Sequence, residues 1–269
     1  MCPLSAFTDR IRAGLRRRLE RMINAIRTDR PEWLARRLAE ETASLGPNAV
    51  RLHLGCGEVH LKGYVNIDAP ADVRPVMTAC APDIEADVRS LTYPPGSVDE
   101  VRLHHLFEHF DRPTAVRLLV EWRRWLKVGG RLVIETPDFE ACAQAWLLAD
   151  DLAEREKLIR HLFGSHEAEW AVHREGWHRG KFERYLRALG FEKLRFHCTR
   201  WCGTHNITVV ARKDASDLSD DAARAAAAGL LRMSLVNAEN AQSEQRLLQT
   251  WLSLANLANV PRNNNGSAS

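Results

Sequence analysis

Two glycines and an aspartate are the first residues whose types and spacing indicate a ligand site. Gly55 and Gly57 follow an apolar run that begins at Leu52, and Asp68 ends the next segment of strand-forming residues. A glycine turn after a strand lets the backbone approach a ligand closely, because no side chain intervenes. A carboxylate at the end of the following strand can accept hydrogen bonds from both hydroxyls of a ribose. This order of residues therefore predicts a nucleoside site.

A group of histidines is the second feature that suggests chemistry. His104, His105 and His109 follow a third apolar segment, which carries Asp99. In a doubly wound sheet, ligands bind outside the carboxyl ends of the strands, so these imidazoles are expected at the ligand-binding edge. A side chain with a pKa of about 6.5 can take up or release a proton near neutral pH. A hydrogen-bonded loop histidine without a chemical role is the competing interpretation of each.

An alternation of strands and helices is needed to position these residues. The periodicity predicts strands near 50–54, 64–68, 98–103 and 131–136, and helices near 112–127, 138–160 and 179–189. Gly129 and Gly130 are expected to end the first of these helices. Two further strand-like segments, Leu194–Cys198 and Asn206–Ala211, are expected to pair as an antiparallel hairpin. Strands separated by helices favour a parallel sheet that is covered on both faces.

The order of these motifs resembles that of the class I S-adenosylmethionine (SAM)-dependent methyltransferases. The nearest match is a small type 11-like group, whose pattern runs LGCG, GYVNVD, DGSVDEV, HVLEHF and LKPGG. The corresponding segments here are Leu54–Gly57, Gly63–Asp68, Ser97–Val101, His105–Phe110 and Leu126–Gly130, and the resemblance covers roughly 50–212. It implies an α/β, Rossmann-like doubly wound fold, with a mostly parallel seven-stranded sheet, a terminal antiparallel hairpin, and helical extensions at both ends.

SAM is the cofactor that this resemblance implies. Gly55 and Gly57 would lie beside its amino-acid moiety. Asp68 would bind its ribose, and Asp87 would lie near its adenine amino group. The cofactor-binding residues implied in this way are Leu54, Gly55, Cys56, Gly57, Asp68, Ala86, Asp87, Val88 and His104.

Several departures from other nucleoside-binding patterns indicate which classes of enzyme the sequence does not resemble. The interval between Gly57 and Asp68 leaves room for little or no helix, which is also typical of the group that the sequence resembles. His60 stands where the dinucleotide fingerprint has its third glycine, which makes an NAD-dependent enzyme a weaker interpretation. Pro94-Pro95 precedes a strand instead of following it, which argues against methylation of nucleic-acid bases.

The implied reaction is the transfer of a methyl group from SAM to a nucleophile. The displacement mainly needs alignment of the methyl group and the acceptor, and an alcohol acceptor also needs a base. The resemblance places His173 on the substrate side, so His173, His105 and His109 are the candidate bases. Members of this group often accompany genes for surface glycans, so a sugar hydroxyl in a glycan or glycan precursor is the expected acceptor. A small natural product or lipid-linked molecule is the alternative acceptor, and a non-catalytic partner-binding subunit is the alternative function.

A metal site is not predicted. Cysteines and histidines are mixed between His197 and His205, and tetrahedral zinc sites use both residue types. Their spacing is not a familiar one, and the alternation of side chains along a hairpin would send neighbouring ligands to opposite faces.

Composition and charge indicate which ligands and which cellular location are expected for the protein. The net charge of the 269 residues is +3, which does not indicate nucleic-acid binding. No run of about 18 apolar residues occurs, so no membrane-spanning helix is expected, and the N-terminus lacks the apolar core of a secretory signal. Six scattered cysteines suit a reducing cytosol. The expected location is cytoplasmic, with peripheral contact at the inner face of the membrane as a possibility.

The two ends of the chain lie outside the resemblance and suggest four regions. Residues 1–46 form a basic helical segment, with ten arginines against six acids in 1–45. Its amphipathic helix at 7–28 would pack over the sheet, lie on anionic lipid or bind a partner, and a second helix opens at Pro31. Residues 47–213 form the methyltransferase domain. Residues 214–261 form a helical extension suited to a homo-oligomer or protein partner, and 262–269 a disordered tail.

Overall fold

The structure of the protein, a computed structural model, describes residues 45–74, 79–215, 218–237 and 241–257. The predicted amphipathic helix at 7–28, the helix expected from Pro31 and the tail at 262–269 lie outside these residues. The expected lipid contact of the N-terminal segment therefore stays a prediction. None of the described helices is both long enough and apolar enough to cross a membrane.

Seven strands form one sheet, in the order β3-β2-β1-β4-β5-β7-β6. The first five strands of this order are mutually parallel, and β7 runs antiparallel to both β5 and β6. The sheet confirms the fold class predicted from the sequence, including the terminal hairpin. The strands are β1 (Arg51–Leu54), β2 (Val65–Asp68), β3 (Ile84–Glu85), β4 (Val98–His104), β5 (Leu126–Pro137), β6 (Phe191–Trp201) and β7 (Thr204–Lys213).

One face of the sheet carries the main hydrophobic core. Register places one fully buried apolar side chain from each of five neighbouring strands in a single row. These residues are Ile67, Leu54, Leu103, Ile134 and Val209. Because side chains alternate along a strand, their neighbours point to the opposite face. On that face the strand ends are polar, and register aligns His104 with Glu135 and Glu135 with Thr208.

The described residues form six α-helices and two short 3₁₀ helices, Phe107–His109 and Glu169–Ala171. The α-helices are α1 (Arg112–Trp125), α2 (Phe139–Leu148), α3 (Leu152–Phe163), α4 (Arg179–Ala188), α5 (Asp220–Arg232) and α6 (Gln242–Leu254). Asp111 caps α1 by accepting a hydrogen bond from the Thr114 N–H, and Pro113 occupies its first turn, where a missing N–H costs nothing. No helix forms between Gly57 and Asp68, as the short interval predicted.

The glycine pair after α1 has a different role from the one predicted. The helix ends at Trp125, and β5 begins at once with Leu126. Gly129 and Gly130 lie inside β5, at an irregularity where the register with β4 shifts. Asp99 holds this irregular segment, because its carboxylate accepts hydrogen bonds from Lys127 Nζ at 2.7 and 2.9 Å. The two glycines therefore form a bulge, which bends a strand without ending a helix.

The single helix predicted at 138–160 is two helices. Helix α2 ends at Leu148, where Ala149 adopts an extended conformation, and α3 begins after Asp151. Aspartate disfavours helix interiors because its side chain competes for nearby backbone groups, and two aspartates in a row stand at this break. The side chain of Arg155 donates to the Ala149 carbonyl at 3.0 Å and fixes the corner.

The C-terminal helices are part of the main core. Ala227, Leu231 and Leu248, from α5 and α6, are buried in the same hydrophobic cluster as the residues of α1. The guanidinium of Arg112 lies 5.2 Å from the centre of the Trp251 ring, which joins α6 to the start of α1. Buried residues of α5 and α6 therefore pack with α1 of the same chain, whereas Met233, Leu247 and Leu254 are exposed. The oligomer or partner contact expected of this extension stays a prediction.

Candidate functional site

The carboxyl ends of β1 and β2 form the first part of the site. The Gly55 N–H donates to the Ile67 carbonyl at 2.8 Å, and the Gly57 N–H donates to Oδ2 of Asp68 at 2.6 Å. Oδ1 of Asp68 accepts the Ala69 N–H at 2.7 Å. The loop at 55–57 and Asp68 therefore bind one another directly. The N–H groups of this loop are therefore already used inside the protein and are not available to a ligand.

Gly55 joins the two halves of the site through close packing. Its φ is +64°, and an added Cβ would lie 2.7 Å from Cδ2 of Leu106. Only glycine combines this conformation with such an approach. The segment after β4, which carries the clustered histidines, therefore rests on the loop after β1.

Cys56 contributes an inert side chain to this loop. Its thiol is buried, and burial together with the charge of Asp68 raises the pKa of the thiol to about 12. Sγ of Cys56, Sγ of Cys80 and a carboxylate oxygen of Asp68 lie within 4.8 Å of one another. A metal would need the thiolate form, which this environment opposes.

The residues expected near adenine are tied to Asp68 through the backbone. The Ala86 N–H donates to the Asp68 carbonyl at 2.7 Å, and Val88 is buried in the core. Hydrogen bonds from Arg89 lower the pKa of Asp87, although partial burial opposes the shift. The carboxylate of Asp87 is thus charged and partly occupied by Arg89, at 2.7 Å from Nη2.

His104 ends β4 on the polar face of the sheet. Burial lowers the pKa of its imidazole to about 4, so the ring is neutral at physiological pH. Its ring centre lies 5.8 Å from that of His53 on the neighbouring strand. The side chain of His104 therefore lines the site as an uncharged polar group.

His105 lies between two carboxylates. Its Nδ1 is 3.1 Å from Oε1 of Glu108, and its Nε2 is 3.6 Å from Oε1 of Glu135. Burial disfavours the charged ring, but the two carboxylates outweigh burial and raise the pKa of His105 to about 10. The same contacts, with a hydrogen bond from Thr208, lower the pKa of Glu135 to about 2 against the opposing effect of burial. His105 is therefore a cation that organises the site, and it is a poor proton acceptor at neutral pH.

His109 and His173 form a second imidazole pair, next to Glu108. Their ring centres are 4.7 Å apart, with the rings perpendicular. Burial lowers the pKa of His173, so this ring is neutral at physiological pH. One ligand atom from each of Glu108, His109 and His173 lies within 4.8 Å of the others. The structure thus brings the three candidate bases of the sequence together around Glu108.

A short loop holds His173 in place. Gly164 pairs with Val172 in an isolated antiparallel bridge, and the His173 N–H donates to the Phe163 carbonyl at 3.0 Å. The Glu108 carbonyl accepts the Arg174 N–H at 2.8 Å. Because backbone bonds secure the loop on both sides, the position of His173 depends little on the side chains of its neighbours.

Five residues of this edge were missed as site residues by the sequence analysis. They are Glu108, Glu135, His161, Asn206 and Thr208. Glu135 had a usable signal, since it is a charged residue at the carboxyl end of a buried apolar strand. Glu108 had a signal as well, since it lies inside the segment His105–Phe110 that carries two of the candidate histidines. The other three had none, because the sequence does not show that the end of α3 and the start of β7 lie at this edge. Nε2 of His161 lies 2.7 Å from Oδ1 of Asn206.

The mixed cysteine and histidine segment from His197 to His205 does not form a ligand group among the described residues. The described side chains that converge are Cys56, Asp68 and Cys80 in one group, and Glu108, His109 and His173 in the other. Cys202 is exposed in the turn between β6 and β7.

Residues 46–134 match a family of known proteins, Methyltransf_11, which is described as a methyltransferase domain. The match contains both glycines of the first loop, Asp68 and the segment from His104 to His109. The match and the order of the strands support a class I, SAM-dependent methyltransferase domain. No curated protein matches the chain.

Solved structures that are similar include a SAM-dependent methyltransferase from Archaeoglobus fulgidus. It is 15% identical, with a TM-score of 0.45, over 71% of this chain and 98% of that chain. A SAM-dependent methyltransferase from Mesorhizobium loti is 17% identical, with a TM-score of 0.43, over 68% of this chain and 98% of that chain. The YcgJ protein from Bacillus subtilis is 15% identical, with a TM-score of 0.44, over 66% of this chain and 97% of that chain.

Proposed function

We propose that the protein transfers a methyl group from SAM to a sugar hydroxyl of a glycan or glycan precursor. The observation that carries the proposal is that the Asp68 loop and the imidazole cluster meet at one edge of the sheet, joined where Leu106 packs on Gly55. The cofactor would supply an electrophilic methyl group bonded to a positively charged sulfur. The protein then has to hold the cofactor, align the acceptor and remove the acceptor's proton.

Asp68 fits the ribose of the cofactor. Each of its carboxylate oxygens already accepts one backbone N–H. A carboxylate has about four acceptor positions, so each oxygen can still accept one ribose hydroxyl. The two backbone bonds fix the carboxylate in the required direction before the ligand arrives, which reduces the entropy lost on binding.

Proton removal is the task of the second half of the site. Methyl displacement mainly requires alignment, but a hydroxyl must lose its proton during or after the transfer. His173 is neutral at physiological pH, and its buried Nδ1 has no hydrogen-bond partner among the described residues. His173 is therefore better suited to accept the proton than His105, which is already charged.

The polarity of this edge supports a hydroxyl-rich acceptor. His161, Asn206 and Thr208 offer hydrogen-bonding groups beside the imidazole cluster. The indole of Trp170 lies with its ring centre 6.4 Å from that of His109, and an aromatic face of this kind suits the apolar face of a sugar ring. A lipid-linked or small natural product would favour a more apolar wall, so it is the second choice of acceptor.

Calorimetry with SAM is the first test. We expect micromolar binding that Asp68→Ala abolishes, whereas Asp72→Ala, at an exposed aspartate in the same loop, binds as the wild type does. A folded wild-type protein without SAM affinity would favour the alternative, a non-catalytic partner-binding subunit.

Incubation with SAM and a panel of sugars, sugar nucleotides and lipid-linked saccharides is the second test. We expect S-adenosylhomocysteine release and a mass gain of one methylene group only with hydroxyl acceptors of this class. His173→Ala should retain SAM affinity and lose most of the turnover, whereas His166→Ala, at an exposed histidine of the same loop, should retain both. Turnover restricted to apolar natural products would exclude the sugar.

A further inference from the structure

Side chains of Glu108, His109 and His173 lie close together without forming hydrogen bonds to one another. Oε2 of Glu108 and Nδ1 of His173 are buried, and neither has a hydrogen-bond partner in the part of the chain that the structure describes. A buried polar atom without a hydrogen-bond partner destabilises the folded protein. Two such atoms beside one imidazole therefore point to a ligand that binds all three residues.

His109 presents a suitable third ligand. Its Nδ1 lies 3.3 Å from the carbonyl oxygen of Val172. A carbonyl only accepts hydrogen bonds, so the Nδ1 of His109 must carry the proton, and Nε2 keeps its lone pair. A metal-binding histidine typically donates its second ring N–H to a carbonyl or carboxylate in this way.

Glu108 is arranged in a similar manner. Its Oε1 is bonded to Nδ1 of His105 at 3.1 Å, which leaves Oε2 for another ligand. The Glu108 side chain is only 2% exposed. The three residues are one carboxylate and two imidazoles, and Glu108 and His109 are each oriented by a second contact.

The geometry points to a binding site for a divalent first-row transition-metal ion on Glu108, His109 and His173. Two imidazoles and one carboxylate are the protein ligands of many zinc enzymes and of non-haem iron(II) enzymes. All pairs of ligand atoms lie within 4.8 Å, so small side-chain movements would bring them to metal–ligand bonds of about 2.0–2.2 Å. Three protein ligands leave coordination positions for an exchangeable molecule.

This site deepens the proposed function and rests on it only for its role. A coordinated hydroxyl has a lowered pKa, so the ion would replace His173 as the agent that removes the acceptor's proton. The proton then passes to water, the methyl carbon bonds to the acceptor oxygen, and the electrons of its bond to sulfur remain on sulfur. His173 acts in that case as a metal ligand.

Metal binding to the full chain tests the inference directly. Protein stripped with a chelator would be titrated with Zn²⁺ by calorimetry and with Co²⁺ by visible absorption. We expect one ion per chain, and a Co²⁺ spectrum typical of four or five ligands. His109→Ala, His173→Ala and Glu108→Gln should each weaken binding by about 100-fold or more. His166→Ala is the matched control, because this exposed histidine of the same loop bonds only the Phe163 carbonyl among the described residues, and its affinity should equal that of the wild type.

Two results would overturn the site. One is that neither ion binds the folded wild-type protein. The other is that His109→Ala and Glu108→Gln bind the ion as tightly as the wild type, which would place it elsewhere, such as at Cys56 and Cys80. Glu108→Gln keeps the size of the side chain and the acceptor for His105, and unfolding temperature and SAM affinity verify that each variant is folded.

The failure of this inference can be distinguished from the failure of the proposed function. Metal binding without SAM affinity would support the site and reject the methyltransferase. Methyl transfer at the full rate by metal-free protein in a chelator would support the methyltransferase and reject the role of the ion.

Discussion

The two halves of the candidate site use different parts of the polypeptide. At the ends of β1 and β2, backbone groups and one carboxylate hold each other, and the cysteine between them has a buried, neutral thiol. At the ends of β4 and β5, charged and neutral side chains from distant segments form a hydrogen-bonded network around His105 and Glu108. Under the proposed function, the first half would hold the cofactor, whereas the second would bind the acceptor and take its proton.

Because of this difference, substitutions can disrupt one half of the site without disrupting the other. Loss of the Asp68 carboxylate in the first half should lower SAM affinity and leave the second network intact. Variants in the second half should leave SAM affinity unchanged and affect turnover or stability.

Asp68→Ala should produce the largest effect. It removes the carboxylate that is proposed to accept two ribose hydroxyls, and with it the acceptor of the Gly57 N–H. Hydrogen bonds to a charged group contribute about 1.5–3 kcal/mol each, so affinity for SAM should fall roughly 100-fold or more. Isothermal titration calorimetry measures this. An unchanged affinity would mean that the cofactor does not lie against β2.

Gly164→Ala should disrupt the second half to a smaller degree. The residue has a φ of +94°, and an added Cβ would lie 2.0 Å from the Ala171 carbonyl oxygen, so the loop carrying His173 has to move. Gly203→Ala is the control, because its φ is +91° and nothing lies within 4 Å of the added Cβ. Both variants carry a backbone strain of about 1–2 kcal/mol. We expect only Gly164→Ala to lose turnover while it retains SAM affinity; equal turnover in both would contradict the role of the loop.

Glu135→Gln should make stability less dependent on pH. The pKa of Glu135 lies at about 2 in the folded protein, below its ordinary value of 4.5. The ionised Glu135 carboxylate therefore stabilises the folded protein fully above pH 4.5, and this stabilisation is lost as the pH falls toward 2. The shift corresponds to about 3 kcal/mol. Chemical denaturation at several pH values measures the free energy of unfolding of Glu135→Gln and of the wild type, and the difference between them should shrink in acid. The control is Glu140→Gln, at an exposed position, whose free energy of unfolding should equal that of the wild type at every pH.

Cys56→Ala should have the smallest effect. The contribution of this position to cofactor binding comes from the backbone, because its thiol is neutral and buried. SAM affinity should stay within about threefold of that of the wild type, with a loss of about 1 kcal/mol in stability. A tenfold loss of affinity in the calorimeter would show that the side chain itself contacts the ligand.

The first half of the site was largely predictable from the sequence. Gly55, Gly57 and Asp68 lie close together in the chain, and parallel strands bring their carboxyl ends to one edge. What the sequence did not show is that the Gly57 N–H binds Asp68, so the loop N–H groups are unavailable to the cofactor. Such a bond depends on the exact path of a ten-residue loop, which no periodicity describes.

The second half was predictable only in part. His105, His109 and His173 were recognised as candidates, but the charges that distinguish them come from Glu108 and Glu135. A pKa depends on burial and on neighbours that are remote in sequence, so residue type alone could not separate the charged ring from the neutral one. The role of Gly129 and Gly130 was misjudged for a similar reason, since the bulge there depends on pairing between β4 and β5.

The packing of the last helix has a practical consequence for anyone who shortens this chain. Trp251 lies against Arg112, Arg112 bonds Glu175 at 2.8 Å, and the Glu175 N–H bonds the carbonyl of Glu108. A fragment that stops at residue 213, where the predicted methyltransferase domain ends, would lose the first of these contacts and expose part of the core. Such a trimmed protein would be a poor substitute for the whole in any search for the acceptor.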